Sequence, residues 1–309
     1  MRAPPVVWAL VAVGLLAFGS SPILIRLAGD VPALTLAFWR TSAVTVVLAP
    51  LALGRGRAEI MSLTGREWGF ILCAGGLLGL HFMAWIISVQ LTSVASAAVL
   101  VTTSPLFIAI LGALVLQETP GRRTVVAICV ATAGAVLIAL GEGRDSGAYP
   151  NPMLGNGIAL GAAVLVSVYF LIGRAVRQRT SFVAYFWPLN AAAAVTCLLG
   201  CLVARAPLGL PLAAGALAVG MGLGPGLLGH GSFAYALRYI PAALIGLLSL
   251  AEPVLASTVA LLVFREVPSP LAIVGMVTVL ASIAAVVTGR RTEPAGDPRI
   301  DGDHEENSP

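Results

Sequence analysis

Apolar residues in this chain come in unbroken runs, without the alternation of a half-buried strand or the three-four spacing of a helix on a soluble core. Ten such runs follow one another: Val6–Leu27, Pro32–Leu53, Trp68–Val89, Val94–Leu116, Thr124–Leu140, Gly155–Ala175, Phe182–Val203, Ala213–Leu237, Ala242–Phe264 and Leu271–Thr288. Roughly 20 residues is the length that crosses about 30 Å of hydrocarbon as a helix. No water reaches that depth, so a spanning backbone must satisfy its own hydrogen bonds. Continuous runs therefore predict membrane helices and not barrel strands. The expected fold class is an all-α integral membrane protein of ten transmembrane helices.

Composition agrees. Of 309 residues, 58% are hydrophobic and only 10% charged, against about 25% charged in a soluble domain. Too few charges are present to cover a water-facing surface, so lipid is the main solvent. A net charge of +4 raises nucleic acid as a partner, but its distribution points elsewhere: every basic residue is Arg, and most sit in short loops. With the N-terminus placed in the cytoplasm, Arg2, Arg55, Arg57, Arg66, Arg122, Arg123, Arg174, Arg177, Arg179, Arg238, Arg290 and Arg291 all fall inside. Only Arg26, Arg144, Arg205 and Arg265 fall outside. That bias predicts a multi-pass protein of the cell (plasma) membrane with both termini cytoplasmic, and no nucleic-acid partner. Cys73, Cys129, Cys197 and Cys201 lie inside apolar runs without a His or carboxylate at ligand spacing, so they read as small buried thiols. No metal or other cofactor is expected.

The chain also repeats itself. Ser104-Pro105-Leu106 through Glu118-Thr119-Pro120 resembles Glu252-Pro253-Val254 through Glu266-Val267-Pro268, and 253 − 105, 266 − 118 and 268 − 120 all give 148. The same offset aligns Phe38-Trp39 with Phe186-Trp187, Arg26 with Arg174, Gly76 with Gly224, and Gly141 with Gly289. Five runs per half is an odd number, so the second half enters the membrane inverted relative to the first. The expected division is a cytoplasmic N-terminus (1–5), a first five-helix repeat (6–141), an external linker (142–154), a second repeat (155–289) and a disordered cytoplasmic tail (290–309), which is acidic and nearly free of apolar residues. Inverted repeats are an architecture of alternating access, with solute held near the midplane between the halves.

Five plus five spans, a Pro in the fourth helix of each half with a Glu at that helix's end, the Phe38-Trp39-Arg40 element and the Glu252-Pro253 element together resemble the drug/metabolite transporter superfamily, EamA type. The resemblance covers about residues 5–290. It implies a central cavity enclosed by helices from both halves, with the fifth and tenth helices to the side. It also implies export, or less often uptake, of amino acids or other small metabolites. One departure stands out: Pro188 occupies the position matching Arg40.

Ionisable groups at membrane depth cost roughly 2.5–3.5 kcal/mol each, so function is their first reading. Arg40, His81 and Glu252 lie well inside predicted spans. A guanidinium stays charged and offers five donors, which suits a substrate carboxylate or phosphate. The alternative for Arg40 is a structural pair with a carboxylate such as Glu252, or with helix-end carbonyls. Glu252 precedes Pro253, whose missing N–H opens a polar notch in the helix. There Glu252 is a candidate to carry a coupling proton or contact a substrate amine, unless it serves as a structural partner. Ser249 lies on the same face one turn earlier. His81, Trp85 and Ser88 form one polar-aromatic face of the third helix, and His230 lies nearer the end of the eighth. Trp39 and the matching Trp187 read as packing anchors.

Helix eight carries Gly220, Gly222, Gly224, Gly226, Gly229 and Gly231 with Pro225, and its counterpart carries Gly75, Gly76 and Gly79. A formal G-x-G-x-x-G at Gly224 lacks a preceding strand and is not a dinucleotide site. Paired Gly/Pro-rich segments mark helices that pack closely and move, so Gly76, Pro105, Gly224, Pro225 and Pro253 are the expected hinge or packing positions. Pro22 is expected to kink helix one. Glu118 and Glu266, with Arg122 and Arg265 nearby, read as helix-end ion pairs or as gates.

The function that follows is a secondary transporter of a small-molecule solute, exporting amino acids or related polar solutes by alternating access, with proton coupling through Glu252. A nucleotide-sugar or lipid-precursor transporter would require more cavity cations than Arg40. A membrane-embedded enzyme would require a motif such as H-E-x-x-H, which is absent. A non-transporting structural protein would tolerate replacement of its central polar residues. The lipid bilayer is the other partner, and monomer and homodimer are both left open.

Overall fold

The computed structural model describes residues 3–92, 94–142, 149–265 and 267–289. Arg2, Arg144, Glu266, Arg290, Arg291 and the acidic tail lie outside the described residues. Among the described residues ten long helices follow in order: α1 (Pro5–Leu27), α2 (Ala33–Leu53), α3 (Gly65–Leu91), α4 (Ser96–Leu116), α5 (Arg122–Glu142), α6 (Pro152–Val176), α7 (Phe182–Val203), α8 (Leu212–Ala236), α9 (Ala242–Val263) and α10 (Pro270–Gly289). Among the described residues, nine helices, all but α5, are long and apolar enough to cross a membrane. The remaining helix, α5, has 21 residues, about 31 Å at 1.5 Å per residue. Large apolar side chains such as Leu16, Val46, Leu114, Val195 and Leu262 point outward, as a surface solvated by lipid requires.

Hydrogen bonds between turns fix the direction of each helix. On one face, the Ser181 N–H donates to Glu59 Oε1 (2.6 Å), and Arg174 Nη1 donates to the carbonyl of Leu237 (2.7 Å). On the other, Thr35 donates to Pro207 O (2.7 Å), Gln90 to Val31 O (2.9 Å), and the Asn151 N–H to Leu91 O (3.3 Å). The α2–α3, α6–α7 and α8–α9 turns thus share the arginine-rich face, while the α1–α2, α7–α8 and α3–α4 connections share the opposite one. Helix α1 runs toward that opposite face and α6 runs away from it. The second half is the first turned over.

Packing obeys the same exchange. Helix α3 packs on α6 as α8 packs on α1; α4 meets α6 as α9 meets α1; α3 meets α7 as α8 meets α2. The pairs α2–α7, α4–α9 and α5–α10 meet on the axis, with α5 and α10 joined chiefly to each other.

Close backbone approaches hold the halves together, two of them beside the central helices. A side chain at Gly75 on α3 would collide with the carbonyl oxygen of Leu189 on α7, and a Cβ on Gly222 of α8 would lie 2.5 Å from the carbonyl oxygen of Arg40 on α2. Gly76 and Gly224, the expected contact positions, are not the tight ones: a Cβ on either would meet its nearest neighbour at 3.8 and 3.9 Å. Each lies one or two residues off the contacting stripe, a rotation that periodicity in an all-apolar helix does not reveal. Gly222→Val is therefore expected to cost about 1–3 kcal/mol by overpacking, lowering the thermal midpoint of the purified protein. Gly224→Ala is expected to leave that midpoint unchanged.

Four of the long helices are interrupted. Helix α1 breaks at Ser20, just before Pro22. Helix α4 breaks at Thr102–Thr103 and α9 at Leu250–Ala251, positions again 148 residues apart, each followed by its proline, Pro105 or Pro253. Helix α8 widens into a π segment over Gly222–Gly231, around Pro225. Proline cannot donate to the ladder, and the loosened turns re-aim the side chains that follow. Cys197 and Cys201 are buried, but Cys73 and Cys129 are exposed on the outer, lipid-facing surface, because an apolar run on a membrane helix has no solvent-averse reason to turn inward.

Candidate functional site

The interruptions surround one cavity of about 40 Å³, lined by Phe18 and Ser21 (α1), Arg40 (α2), His81, Phe82 and Trp85 (α3), Val101, Thr102 and Ser104 (α4), Val166 and Phe170 (α6), His230 and Phe233 (α8), and Ser249 and Glu252 (α9). Five pairs of these residues are 148 apart: Phe18 and Val166, Phe82 and His230, Trp85 and Phe233, Val101 and Ser249, Ser104 and Glu252. The cavity therefore sits on the axis relating the halves. Its volume accommodates a few water molecules, less than a solute molecule needs.

All five residues expected to contact solute or coupling ion, Arg40, His81, Trp85, Ser249 and Glu252, line this one cavity. Arg40 is 1% exposed, and its guanidinium lies 3.8 Å from the Phe82 ring centroid. Its Nε and Nη1 are buried without a hydrogen-bond partner. Among the described residues no salt bridge joins it to Glu252. The two groups interact through space and not by a contact ion pair, and cation–π contact, worth up to about 2 kcal/mol when desolvated, adds to what the cavity offers the charge. Pro188, the counterpart of Arg40, leaves the cavity one arginine and not two.

Glu252 opens the second half of α9, directly after its break. Ser249 lies before that break and donates to the Gly246 carbonyl (2.7 Å), so its oxygen retains only acceptor capacity toward the cavity. His81 Nδ1 lies 2.9 Å from the carbonyl oxygen of Ala162, which fixes Nδ1 as the donor and leaves Nε2 as an acceptor. Ser88, on the same predicted face, turns away and donates to Trp85 O (2.7 Å). Trp39 and Trp187 donate to Leu208 O (2.8 Å) and Thr45 O (3.0 Å), which makes both packing anchors.

His230 holds a more central place than its position near the end of α8 suggests. Its ring lies 6.0 Å from that of His81, 4.8 Å from Phe18 and 4.9 Å from Phe82, and its Nδ1 is buried without a partner. The π segment, with its extra residue per turn, carries His230 to this position. Phe18, Phe82, Phe170 and Phe233 form an aromatic wall that no polar signal in the sequence marks. The repeat offset, applied to Trp85, points to Phe233.

Glu118 is not paired with Arg122. It forms an ion pair with Arg174 on α6 (2.9 Å), whose Nη1 also holds the carbonyls of Leu237 and Arg238. The reason is local: the π turn Gly112–Leu116 ends with Gln117 at φ 55°, swinging Glu118 across to α6. Beside it, buried Arg177 donates to the carbonyls of Ala234 (3.0 Å) and Thr180, and burial, with Arg238 acting in the same sense, holds its guanidinium below the ordinary arginine range. Together these contacts tie α4, α6 and α8 across the arginine-rich face. The Glu118–Arg174 pair is partly exposed, worth about 0.2–1 kcal/mol. Glu118→Gln is accordingly expected to speed labelling of a Ser249→Cys reporter, in a chain lacking its native cysteines, by up to about 5-fold from that face.

A family model described as the EamA-like transporter family matches residues 5–140 and again 153–288. No curated protein matches the sequence. A solved crystal structure aligns with a TM-score of 0.78 over 94% of this chain and 100% of the other at 20% identity, a likeness of fold alone. One family model, fitted twice across two halves that pack as inverted copies, shows that this chain belongs to the EamA-like transporter family and is a multi-pass membrane transporter of small molecules, of the drug/metabolite type.

Proposed function

We propose that the chain moves a small organic anion, a carboxylate such as an amino acid, through the central cavity by alternating access, in the direction of export and coupled to a proton. The observation that carries this reading is the buried Arg40 guanidinium, with no hydrogen-bond partner at Nε or Nη1, lining a cavity on the axis between the repeats. A charge in that position, with two donor nitrogens unpartnered, awaits an acceptor. The aromatic rings around it favour a solute with an apolar body, and Glu252 and His81 supply acceptors for an ammonium group. Because the cavity is too small for such a solute, entry requires the halves to part at the breaks in α1, α4, α8 and α9. In this reading all ten helices span the plasma membrane, the arginine-rich face with both termini is cytoplasmic, and the chain performs no catalysis and binds no nucleic acid. A nucleotide-sugar or similar phosphate-rich solute is disfavoured, since among the described residues Arg40 is the only arginine lining the cavity.

Solute counterflow in proteoliposomes tests this directly. Accumulation of one class of labelled amino acid or small carboxylate is the expected result. Accumulation confined to uncharged or cationic solutes overturns the assignment.

A further inference from the structure

On the side of the protein away from the central cavity, α5 and α10 leave a groove of about 760 Å³ open to the surroundings. Its walls are Val126 and Val130 from α5 and Val277 and Ala281 from α10, and Arg122 and Arg123 close one end. The groove's polar members, Thr278 and Ser282, donate back to the carbonyls of Val274 and Thr278 of their own helix (2.8 Å each). What faces outward is thus an apolar channel with two cations at its mouth.

Three observations specify what fits it. First, no carboxylate among the described residues pairs with the cations. The carboxylate nearest in sequence, Glu118, is held by Arg174 at 2.9 Å, and among the described residues neither Arg122 nor Arg123 has an ion pair. Second, the channel has the depth of one leaflet. Arg122 to Val130 is eight residues of helix, about 12 Å, against about 15 Å for half of the hydrocarbon core. Third, the two arginines lie at the level of the 117–121 turn, on the arginine-rich face, where a polar headgroup meets water. Guanidinium forks match phosphate oxygens bidentately.

We propose that this groove holds one anionic phospholipid, its phosphate between Arg122 and Arg123 and an acyl chain along Val126, Val130, Val277 and Ala281. A second copy of the chain is a poorer occupant, because it would bring the same two cations to the contact. The site is separate from the solute cavity, and its occupancy does not depend on the identity of the solute.

The test uses the full-length protein in detergent, titrated with dioleoylphosphatidylglycerol, dioleoylphosphatidylcholine or inorganic phosphate, and read by native mass spectrometry and thermal midpoint. Phosphatidylglycerol is expected to remain bound at one per chain and to raise the midpoint. Phosphatidylcholine should bind at least about 10-fold more weakly, and phosphate alone should do neither. The double variant Arg122→Gln/Arg123→Gln is expected to lose the preference for phosphatidylglycerol over phosphatidylcholine. Val126→Trp, which fills the channel and keeps both charges, is expected to lose lipid of either kind. Equal binding of both lipids by wild type, stabilisation by phosphate alone, unchanged lipid retention in both variants, or a lipid-free dimer broken by Val126→Trp would each overturn the proposal.

Discussion

Arg40→Met is expected to abolish counterflow while leaving the protein folded, with a thermal midpoint no lower than that of wild type. The two halves of this expectation have one cause. In this structure Arg40 is buried, its Nε and Nη1 have no hydrogen-bond partner, and its guanidinium lies on the face of Phe82 with Glu252 acting on it only through space. A buried charge without a hydrogen-bonded carboxylate lowers the stability of the fold that holds it, so an apolar side chain of similar length removes a liability. If solute fills the missing partnership, the variant loses charge-assisted hydrogen bonds worth about 1.5–3 kcal/mol each, an affinity loss on the order of 100-fold. A structural arginine would give the reverse pattern, with stability falling first. Thermal unfolding and counterflow of the same preparation separate the two.

Glu252→Gln is expected to uncouple transport from the proton gradient. Glutamine has the shape of the protonated acid and cannot release a proton. In wild type, an inward-directed proton gradient should accelerate efflux of solute loaded into vesicles. In the variant the same gradient should have no effect, while counterflow, which needs no net proton movement, should persist. The placement of Glu252 argues for this split. It stands directly after the break in α9, at the cavity, and is not joined to Arg40 by a salt bridge. Its counterpart in the other half is Ser104, whose carbonyl accepts from Ser167 (3.0 Å). One repeat therefore offers an ionisable group where the other has a structural contact. A gradient response retained in Glu252→Gln would assign the coupling to another group, with His81 and His230 the next candidates.

Much of the site could be read from the residues because a membrane makes polar groups conspicuous. Arg40, His81 and Glu252 stand out in apolar runs, and all three reach the cavity. The 148-residue offset carries further than motif reading: it places the breaks of α4 and α9 at matching positions and pairs Trp85 with Phe233 across the cavity. What escaped was helix rotation. In an all-apolar helix no polar stripe shows which side faces protein, so the tight contacts fell to Gly75 and Gly222 and not to Gly76 and Gly224. The π segment of α8 shifts His230 inward in a way that a uniform helical period cannot anticipate. Glu118 found Arg174, 56 residues away, because a left-handed Gln117 redirects the chain, and Gln is an unremarked residue at such a position. Composition located the groups; backbone irregularity decided which of them meet.

The most direct test of the central assignment is equilibrium binding of the acid identified by counterflow and of its methyl ester, each to wild type and to Arg40→Met. With the carboxylate held by Arg40, wild type binds the acid on the order of 100-fold more tightly than the ester, and Arg40→Met binds both equally and weakly. Wild-type affinity for the acid in a folded Arg40→Met protein would contradict a solute seated on Arg40 between the repeats.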